Sequence, residues 1–401
     1  MNRFATIALA TAMLVVALGS SASAQVARLS RVFWTGRLYH VEACPEAPVG
    51  MARCHAHVVS DGAGRHLTNR FGRNARALLE PQGYGPADLR AAYNITATGS
   101  SATTIAIVDA YGYANAETDL GVYRAQFGLP ACTSASGCFT KVNQSGQKTN
   151  LPKNDVGWSQ ETALDLDMAS AMCPNCKIIL VEATSASYPS LASAVNTAAK
   201  LGARVISNSY GGGESGSQGY ESAYNHAGVA ITVSSGDNGY GVQFPASSPH
   251  VTAVGGTSLL PANTTRGWSE TAWTDGGSGG SRVYGKPSWQ KNPLCTMRMV
   301  ADVSAIADPN TGVAVYAPVT ATTSAWQVFG GTSVAAPVIG GIYAVVGAAV
   351  TYASAPYANT ASLNDVTSGT NGKCGGTYFC TAGAGYDGPT GLGTPNGVKA
   401  F

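Results

Sequence analysis

The stretch Gly330-Gly331-Thr332-Ser333-Val334-Ala335-Ala336-Pro337 stands directly before a run of small and apolar residues, 338–350. That run predicts a buried helix with Ser333 in its first turn. A hydroxyl group there faces free backbone N–H groups and the positive end of the helix dipole, which together stabilise negative charge. The two glycines let another backbone approach closely. A capped helix is the alternative for GTS alone, but the full GTSxxxP string is more specific.

Upstream of this stretch, short apolar runs alternate with segments of helical spacing. Strands are predicted at Thr104–Val108, Lys177–Val181, Arg204–Ser207 and Val229–Val233, and helices at Trp158–Met172 and Tyr188–Leu201. Buried strands that alternate with helices indicate an α/β fold, with a parallel sheet and helices on both faces. The loops at the carboxyl ends of the strands then lie together, where such sheets build their sites. The tail from Ala361 is predicted to be mostly loop.

The composition excludes several classes of protein. Of 401 residues, 11% are charged and 45% are hydrophobic, so the chain is not of the disordered type. A net charge of +2 without a Lys/Arg cluster argues against a nucleic-acid partner. We expect no membrane anchor, and we expect a monomer.

The N-terminus has the pattern of an export signal. Arg3 precedes the apolar stretch 7–18, and Ala22-Ser23-Ala24 forms a small-residue cleavage site, so 1–24 is predicted to be a signal peptide. A retained anchor is the alternative. We therefore predict a secreted protein, either extracellular or periplasmic.

Export makes the nine cysteines candidates for disulfides. They fall in close pairs, with Cys295 alone: Cys44/Cys54, Cys132/Cys138, Cys173/Cys176 and Cys374/Cys380. For the CxxC at 173–176, a structural disulfide is favoured over zinc or redox chemistry, because no second CxxC supplies the other zinc ligands.

Residues 25–85 differ from the rest of the chain. They contain His40, His55, His57 and His66, four of the six histidines, and are rich in arginine. We interpret 25–85 as a short propeptide-like segment, with processing near Ala75–Tyr84. An extension that packs permanently on the domain is the alternative. The pair His55 and His57 could indicate a metal, but no carboxylate accompanies it.

Three acidic residues are candidates to take part in catalysis with Ser333. Glu161 and Asp165 are four residues apart and share a helix face, so one can act as a base while the other, protonated, orients it. A solvated acidic face is the alternative. Asp237, in 234–239 (SSGDNG), follows a predicted strand and could donate to an oxyanion if protonated; from spacing alone, a turn is favoured. Asp109, Asp302 and Asp308 are more simply explained as structural acids or turn caps.

Together these motifs resemble the sedolisin family of serine-carboxyl peptidases. The matching stretches are GGTSVAAP (330–337), ETALD (161–165), SSGDNG (234–239) and SNSYGGGE (207–214), and the resemblance covers roughly 84–401. It implies a subtilisin-like fold, with a single catalytic domain at 86–401 after a short leader segment. It also implies an acid-acting endopeptidase that cleaves peptides and proteins through an acyl-enzyme.

The resemblance also implies a role for each matching residue. Ser333 would be the nucleophile, Glu161 the general base and acid, Asp165 the residue that orients Glu161, and Asp237 part of the oxyanion hole. The substrate-lining strand would be Ser209-Tyr210-Gly211.

The C-terminal region 361–401 resembles the calcium loop of the same family. The resemblance implies one Ca²⁺ ion with ligands from Asp365, Val366, Gly383, Gly385 and Asp387. Asp-Gly turns explain this tail equally well when it is taken alone. Two other functions remain open: a peptidase that uses His226 or His250 as its base, and a secreted binding protein that keeps an inactive peptidase fold.

Overall fold

The computed structural model describes residues 31–35, 37–67, 81–291 and 295–401 of the chain. The predicted signal peptide lies outside these residues, as does most of the predicted processing region Ala75–Tyr84.

The structure contains nineteen strands and six α-helices among the described residues. The strands are β1 (Val32–Trp34), β2 (Tyr39–Glu42), β3 (Arg53–Cys54), β4 (His57–Ser60), β5 (Thr104–Ala110), β6 (Phe139–Asn143), β7 (Lys177–Ala183), β8 (Val205–Asn208), β9 (Tyr210–Gly211), β10 (Ala230–Ser234), β11 (Thr252–Pro261), β12 (Trp268–Ala272), β13 (Gly279–Gly285), β14 (Met297–Val300), β15 (Val303–Ile306), β16 (Val313–Thr320), β17 (Thr323–Gly330), β18 (Leu363–Asn364) and β19 (Thr394–Pro395). The helices are α1 (Pro86–Ala92), α2 (Ala116–Gln126), α3 (Val156–Met172), α4 (Tyr188–Lys200), α5 (Thr332–Val346) and α6 (Ser354–Ala358).

The central sheet has the strand order β12-β11-β10-β8-β5-β7-β6, and β15 also pairs with β11. All of its pairings are parallel except that of β12 with β11. The four strands and two helices predicted above are present, with ends that differ by one or two residues. The predicted fold class is confirmed.

The sheet is buried on both faces because its strands are apolar on both sides. In β5, Ile105 and Ile107 belong to one hydrophobic core, and Ala106 and Val108 belong to the other. Side chains alternate between the faces of a strand, so an uninterrupted run of apolar residues contributes side chains to both hydrophobic cores. Helices α3 and α5 pack on the first face, and α4 packs on the second.

The N-terminal segment is also part of the folded structure. Strands β1, β2 and β4 join the hairpin of β16 and β17 in an antiparallel sheet with the order β1-β2-β4-β17-β16. Strand β3 pairs separately with β9. The segment 31–67 therefore adds strands to the body of the protein at two places, and both are close to Ser333.

Candidate active site

Ser333 lies in the first turn of α5, as predicted, and is fully buried. Gly331 precedes the helix with φ at 97°, a conformation that glycine adopts without strain. The Ser333 hydroxyl group donates a hydrogen bond to Glu161 Oε2 at 2.8 Å. It also lies 3.3 Å from the carbonyl oxygen of Ser209. A serine hydroxyl bonded to a carboxylate can lose its proton to that carboxylate.

Glu161 and Asp165 both lie on α3, a helix buried along nearly its whole length. Asp165 Oδ1 accepts a hydrogen bond from the Ser209 hydroxyl group at 2.7 Å. Burial raises the pKa of Glu161 well above its usual range, and Asp165 and Asp109 raise it further. Burial and Asp109 likewise raise the pKa of Asp165, while hydrogen bonds with Ser209 and Glu161 lower it. The two carboxyl groups therefore form a buried pair that retains a proton.

Asp109 lies at the end of β5 near this pair. Both of its carboxyl oxygens are buried without a hydrogen-bond partner. Burial raises its pKa to about 7, and Glu182 on the neighbouring strand adds to the shift. Its charge acts on Glu161 and Asp165, so Asp109 differs from an ordinary turn cap.

Asp302 and Asp308 have the structural roles predicted for them. Asp302 forms a buried ion pair with Arg298. Asp308 caps a short 3₁₀ helix by accepting from the backbone N–H group of Asn310 at 2.9 Å.

Asp237 follows β10 and faces the start of α5. Its Oδ1 accepts from the Thr332 backbone N–H group at 3.0 Å and from the Thr332 hydroxyl group at 2.6 Å. Its Oδ2 lies 3.3 Å from Nε2 of His57. Burial alone would raise the pKa of Asp237, but His57, His55 and Thr332 outweigh burial and lower the pKa below its usual value. Asp237 is therefore a carboxylate while the two histidines are beside it.

A stretch of the N-terminal segment crosses this site, and we define Arg53–His57 as the cleft strand. On one side, Arg53 and Cys54 pair with Gly211 and Tyr210 of β9 in antiparallel register. The His55 backbone N–H group donates to the Ser209 carbonyl oxygen at 3.2 Å. On the other side, His57 pairs with Gly330.

The carbonyl group of His55 points to the start of α5. A Cβ atom placed on Gly331 would lie 1.9 Å from the His55 carbonyl oxygen and 2.7 Å from Asp237 Oδ2. Only glycine at position 331 leaves space for that oxygen. The cleft strand therefore places the His55 carbonyl group against Gly331 and beside Asp237.

Three of the segment's four histidine side chains, those of His40, His55 and His57, are buried in or beside the cleft. His55 Nδ1 lies 2.6 Å from the Ser234 hydroxyl group, and His55 Nε2 lies 2.8 Å from Gln243 Oε1. His57 Nδ1 lies 2.9 Å from His40 Nδ1. Burial lowers the pKa of His40 to about 3 and that of His55 to about 4.

The structure brings the four predicted catalytic residues together, and it places the predicted Ser209-Tyr210-Gly211 strand beside them. The sequence interpretation missed the cleft strand and the pocket around His55. The available signal is the concentration of histidines in 25–85, which sets this segment apart in the sequence but does not show where it docks. Of the two alternative bases, His250 pairs with Glu221 at 2.6 Å, while the hydrogen bond of the Ser333 hydroxyl goes to Glu161.

The predicted cysteine pairing is confirmed. The four pairs named above form disulfides, and Cys295 is free. The CxxC at Cys173 and Cys176 is one of these disulfides, so neither zinc nor redox chemistry is needed to explain it. No helix in the described ranges is both long and apolar enough to cross a membrane.

The predicted calcium residues also come together. Asp365 Oδ2 accepts from the Gly385 backbone N–H group at 2.8 Å, and Asp387 Oδ2 accepts from that of Gly383 at 2.9 Å. The Thr390 hydroxyl group donates to Asp387 Oδ1 and lies 3.4 Å from the Val366 carbonyl oxygen. Within the described ranges, no three His, Cys, Asp or Glu side chains form a metal cluster. Two carboxylates on a loop rich in main-chain carbonyls are nevertheless an oxygen donor set that suits Ca²⁺.

Comparison with known proteins agrees with this geometry. The model of the subtilase family matches residues 145–374. Kumamolisin from Bacillus sp. (strain MN-32) is 33% identical over 362 residues, which are 80% of this chain and 63% of kumamolisin. Sedolisin from Pseudomonas sp. (strain 101) is 27% identical over 359 residues, which are 78% of this chain and 60% of sedolisin. The chain thus spans about three-fifths of the length of these curated relatives.

The solved structures include a similar enzyme. It is Pseudomonas sedolisin, a serine-carboxyl proteinase, complexed with two molecules of pseudo-iodotyrostatin. Its TM-score is 0.67 at 26% identity, over 79% of this chain and 96% of that chain. The resemblance seen in the motifs is confirmed: the chain belongs to the subtilase family and, within it, to the sedolisin group of serine-carboxyl peptidases.

Proposed function

We propose that the chain is a secreted endopeptidase that hydrolyses peptide bonds in acid solution, with Ser333 as the nucleophile and Glu161 as the base. The observation that carries this proposal is the 2.8 Å hydrogen bond from the Ser333 hydroxyl group to Glu161 Oε2. Both groups are buried, and Glu161 is paired with a second carboxyl group on the same helix.

The first half of the reaction forms an acyl-enzyme. Ser333 Oγ attacks the substrate carbonyl carbon while Glu161 accepts its proton, and Asp165 keeps the proton of the carboxyl pair. The oxyanion forms near Gly331, where a protonated Asp237 donates a hydrogen bond to it. Glu161 then gives its proton to the leaving amine. In the second half, water replaces the amine, and the same groups act in the reverse order.

The cleft strand holds the protein in an inactive state under this proposal. It fills the position of a substrate backbone, and His57 keeps Asp237 in the form that cannot donate. Two observations support this role: the backbone pairing on both sides of the cleft and the 3.3 Å contact between His57 and Asp237. Departure of the strand would remove both histidines from Asp237, so its pKa would rise and the oxyanion donor would form. The segment 25–85 is therefore proposed to be a propeptide, and 86–401 the peptidase domain.

Two further features belong to this proposal. We propose that one Ca²⁺ ion binds Asp365 and Asp387 together with the carbonyl oxygens of Val366, Gly383 and Gly385. An ion at this loop would stabilise the native state and would take no part in the acyl transfer. Export is supported by the four disulfides, which persist in oxidising compartments.

Activity on a denatured protein, measured as a function of pH, tests the proposal. The full chain is incubated in acid and assayed between pH 2 and 8, beside Ser333→Ala and the matched surface control Ser101→Ala. We expect activity that rises in acid for the parent and the control, and none for Ser333→Ala. A neutral optimum would indicate a histidine base. Absence of cleavage at every pH would indicate a binding protein.

A further inference from the structure

The pocket that holds the His55 ring has two polar ends. Ser234 Oγ lies 2.6 Å from one ring nitrogen, and Gln243 Oε1 lies 2.8 Å from the other. His55 is 1% exposed and Ser234 is fully buried, whereas Gln243 is half-buried. A Cβ atom on Gly211 would lie 2.9 Å from His55 Cε1 and 2.5 Å from Gln243 Oε1. The glycine at 211 therefore keeps the space that the ring and the amide occupy.

The main-chain register identifies which substrate position this pocket serves. The P1 residue of a substrate is the one whose carbonyl carbon the nucleophile attacks. The His55 carbonyl oxygen is the one that lies over Gly331 beside Asp237, and its N–H group bonds the Ser209 carbonyl oxygen. His55 thus occupies the P1 position, Arg53 the P3 position and Ala56 the position after the scissile bond.

We propose that Ser234 and Gln243 determine specificity at the S1 subsite, the pocket for the P1 side chain, and select histidine there. The proposal rests on the proposed peptidase function and names the substrate class of that same site. A histidine side chain satisfies both polar groups at once. A leucine or phenylalanine at P1 would leave the buried Ser234 hydroxyl group without a partner and would place an apolar side chain against the half-buried Gln243 amide.

The size of the preference follows from the cost of those unpaired groups. A site built to hydrogen-bond a substrate group rejects the analogue that lacks it far more strongly than an apolar pocket rejects a missing methylene. With two neutral hydrogen bonds at stake, we expect kcat/KM to favour a neutral histidine over phenylalanine by about 10- to 100-fold near pH 6.5. The pKa of the buried His55 ring is lowered to about 4 whereas a free imidazole titrates near 6.5, so this preference should fall by up to about tenfold per pH unit between pH 6.5 and 4.

The first experiment measures kcat/KM of the acid-incubated full chain at pH 6.5, where the free imidazole is half neutral, and again at pH 4.5, on peptides based on residues 51–60; the rank order below is the one expected at pH 6.5. Cys54 is replaced by alanine in each peptide, and the residue at the position of His55 is His, Gln, Phe or Leu. We expect His to be best and Phe and Leu to be poorest. The variant Gln243→Leu should lose the preference for His and gain rate on Leu, while the exposed Gln147→Leu should behave like the parent. Equal rates on all four peptides by the parent would overturn the proposal.

The second experiment tests, without catalysis, whether the pocket around His55 selects a histidine side chain. In the full chain carrying Ser333→Ala, hydrogen exchange of the amides of residues 53–58 reports how firmly the cleft strand is held. We expect His55→Phe to lower protection by tenfold or more, and Gln243→Leu to restore part of it, because the pocket is then apolar. Protection unchanged by His55→Phe, or lost without any recovery in the double variant, would refute selection by Gln243.

The two experiments separate this inference from the function beneath it. If peptides are cleaved without regard to P1, the peptidase function stands and the selection of histidine fails. If no peptide is cleaved, the peptidase function fails, and the exchange measurement still decides whether this pocket selects histidine.

Discussion

Asp237 lies in two different environments, before and after release of the cleft strand, and these environments favour opposite protonation states. With the cleft strand in place, His57 and His55 lower its pKa, and the carboxylate accepts two hydrogen bonds from Thr332. Without the strand, burial favours the neutral acid, which can donate to an oxyanion. A single side chain therefore distinguishes the occluded state from the active one.

Substitution of Asp237 tests this role. Asp237→Ala should lower kcat of the acid-activated protein by about 10²–10³, the usual cost of one oxyanion donor. Asp237→Asn keeps an N–H donor at every pH, so it should retain more activity and extend it to higher pH. The measurement is the pH profile of kcat for the parent and both variants. An alanine variant as active as the parent would reduce Asp237 to a turn residue.

Glu161 is the residue on which the proposed chemistry depends most. Glu161→Gln should lower kcat by about 10²–10⁴, the contribution typical of general base catalysis. Asp165→Asn should cost less, because Asp165 acts through Glu161. The thermal transition of each variant serves as the control for folding. A near-normal kcat for Glu161→Gln would contradict the assignment.

Short motifs indicate the residues of the candidate site, and the resemblance to the sedolisin family assigns their roles, since spacing alone favours a turn for Asp237. Ser333 and Asp237 follow glycines at element ends, and Glu161 and Asp165 share a helix face. His55 lies in no such motif. Its partners Ser234 and Gln243 are 179 and 188 residues away along the chain. Contacts at such separation depend on the tertiary fold, so no local pattern indicated this pocket.

At the scale of elements, the N-terminal strands are held by buried neutral histidines. His40 and His55 have pKa values of about 3 and about 4 in the occluded state. In a released segment they would titrate near 6.5. Above pH 6.5 the two imidazole rings are neutral in the docked and in the released segment, so docking does not depend on their protonation. Between pH 6.5 and about 4, the released segment binds protons that the docked one does not, so acid favours release.

We therefore expect acid to release the cleft strand. The equilibrium constant for docking should fall by up to about tenfold, for each of the two histidines, with each unit by which the pH is lowered. Asp237 acts in the same direction, because its pKa is lowered in the docked state. Hydrogen exchange of residues 53–60 in Ser333→Ala, measured from pH 7 to 4, tests this expectation. His55→Gln removes one titrating group, so in this variant the protection of residues 53–60 should decrease less steeply as the pH falls. Equal protection at pH 4 and pH 7 in the chain that retains His55 would contradict release by acid.

The strands were predicted with unequal success for a physical reason. Strands β5, β7, β8 and β10 are buried on both faces, so their apolar runs are visible in the sequence. Strands β1, β2 and β4 lack strong apolar periodicity because they complete a sheet begun by β16 and β17, more than 250 residues later. Their stability depends on that distant edge, which the local composition does not describe.

At the scale of the whole molecule, binding of Ca²⁺ to the loop around Asp365 and Asp387 should raise the free energy of unfolding of the protein. A chelator should lower Tm by several degrees, since an ion that binds only the native state adds about 2.7 kcal/mol at a hundredfold excess over its Kd. The reading is differential scanning calorimetry with Ca²⁺, with Mg²⁺ and with chelator. Asp365→Ala should abolish the dependence on Ca²⁺, and kcat at low temperature should change little. Identical melting curves in all three conditions would exclude the ion.

Because the cleft strand belongs to the same chain as Ser333, its inhibition is governed by an effective concentration and not by the amount of protein in solution. For linked groups this concentration is on the order of millimolar. Dilution of an uncut chain cannot relieve the block, and an external substrate must compete against this fixed local excess. Once the chain is cut between the segment and the peptidase domain, the same strand becomes an ordinary dissociable ligand. Its inhibition would then decrease on dilution, so a single proteolytic event would convert an occupant that is insensitive to dilution into a dissociable competitor.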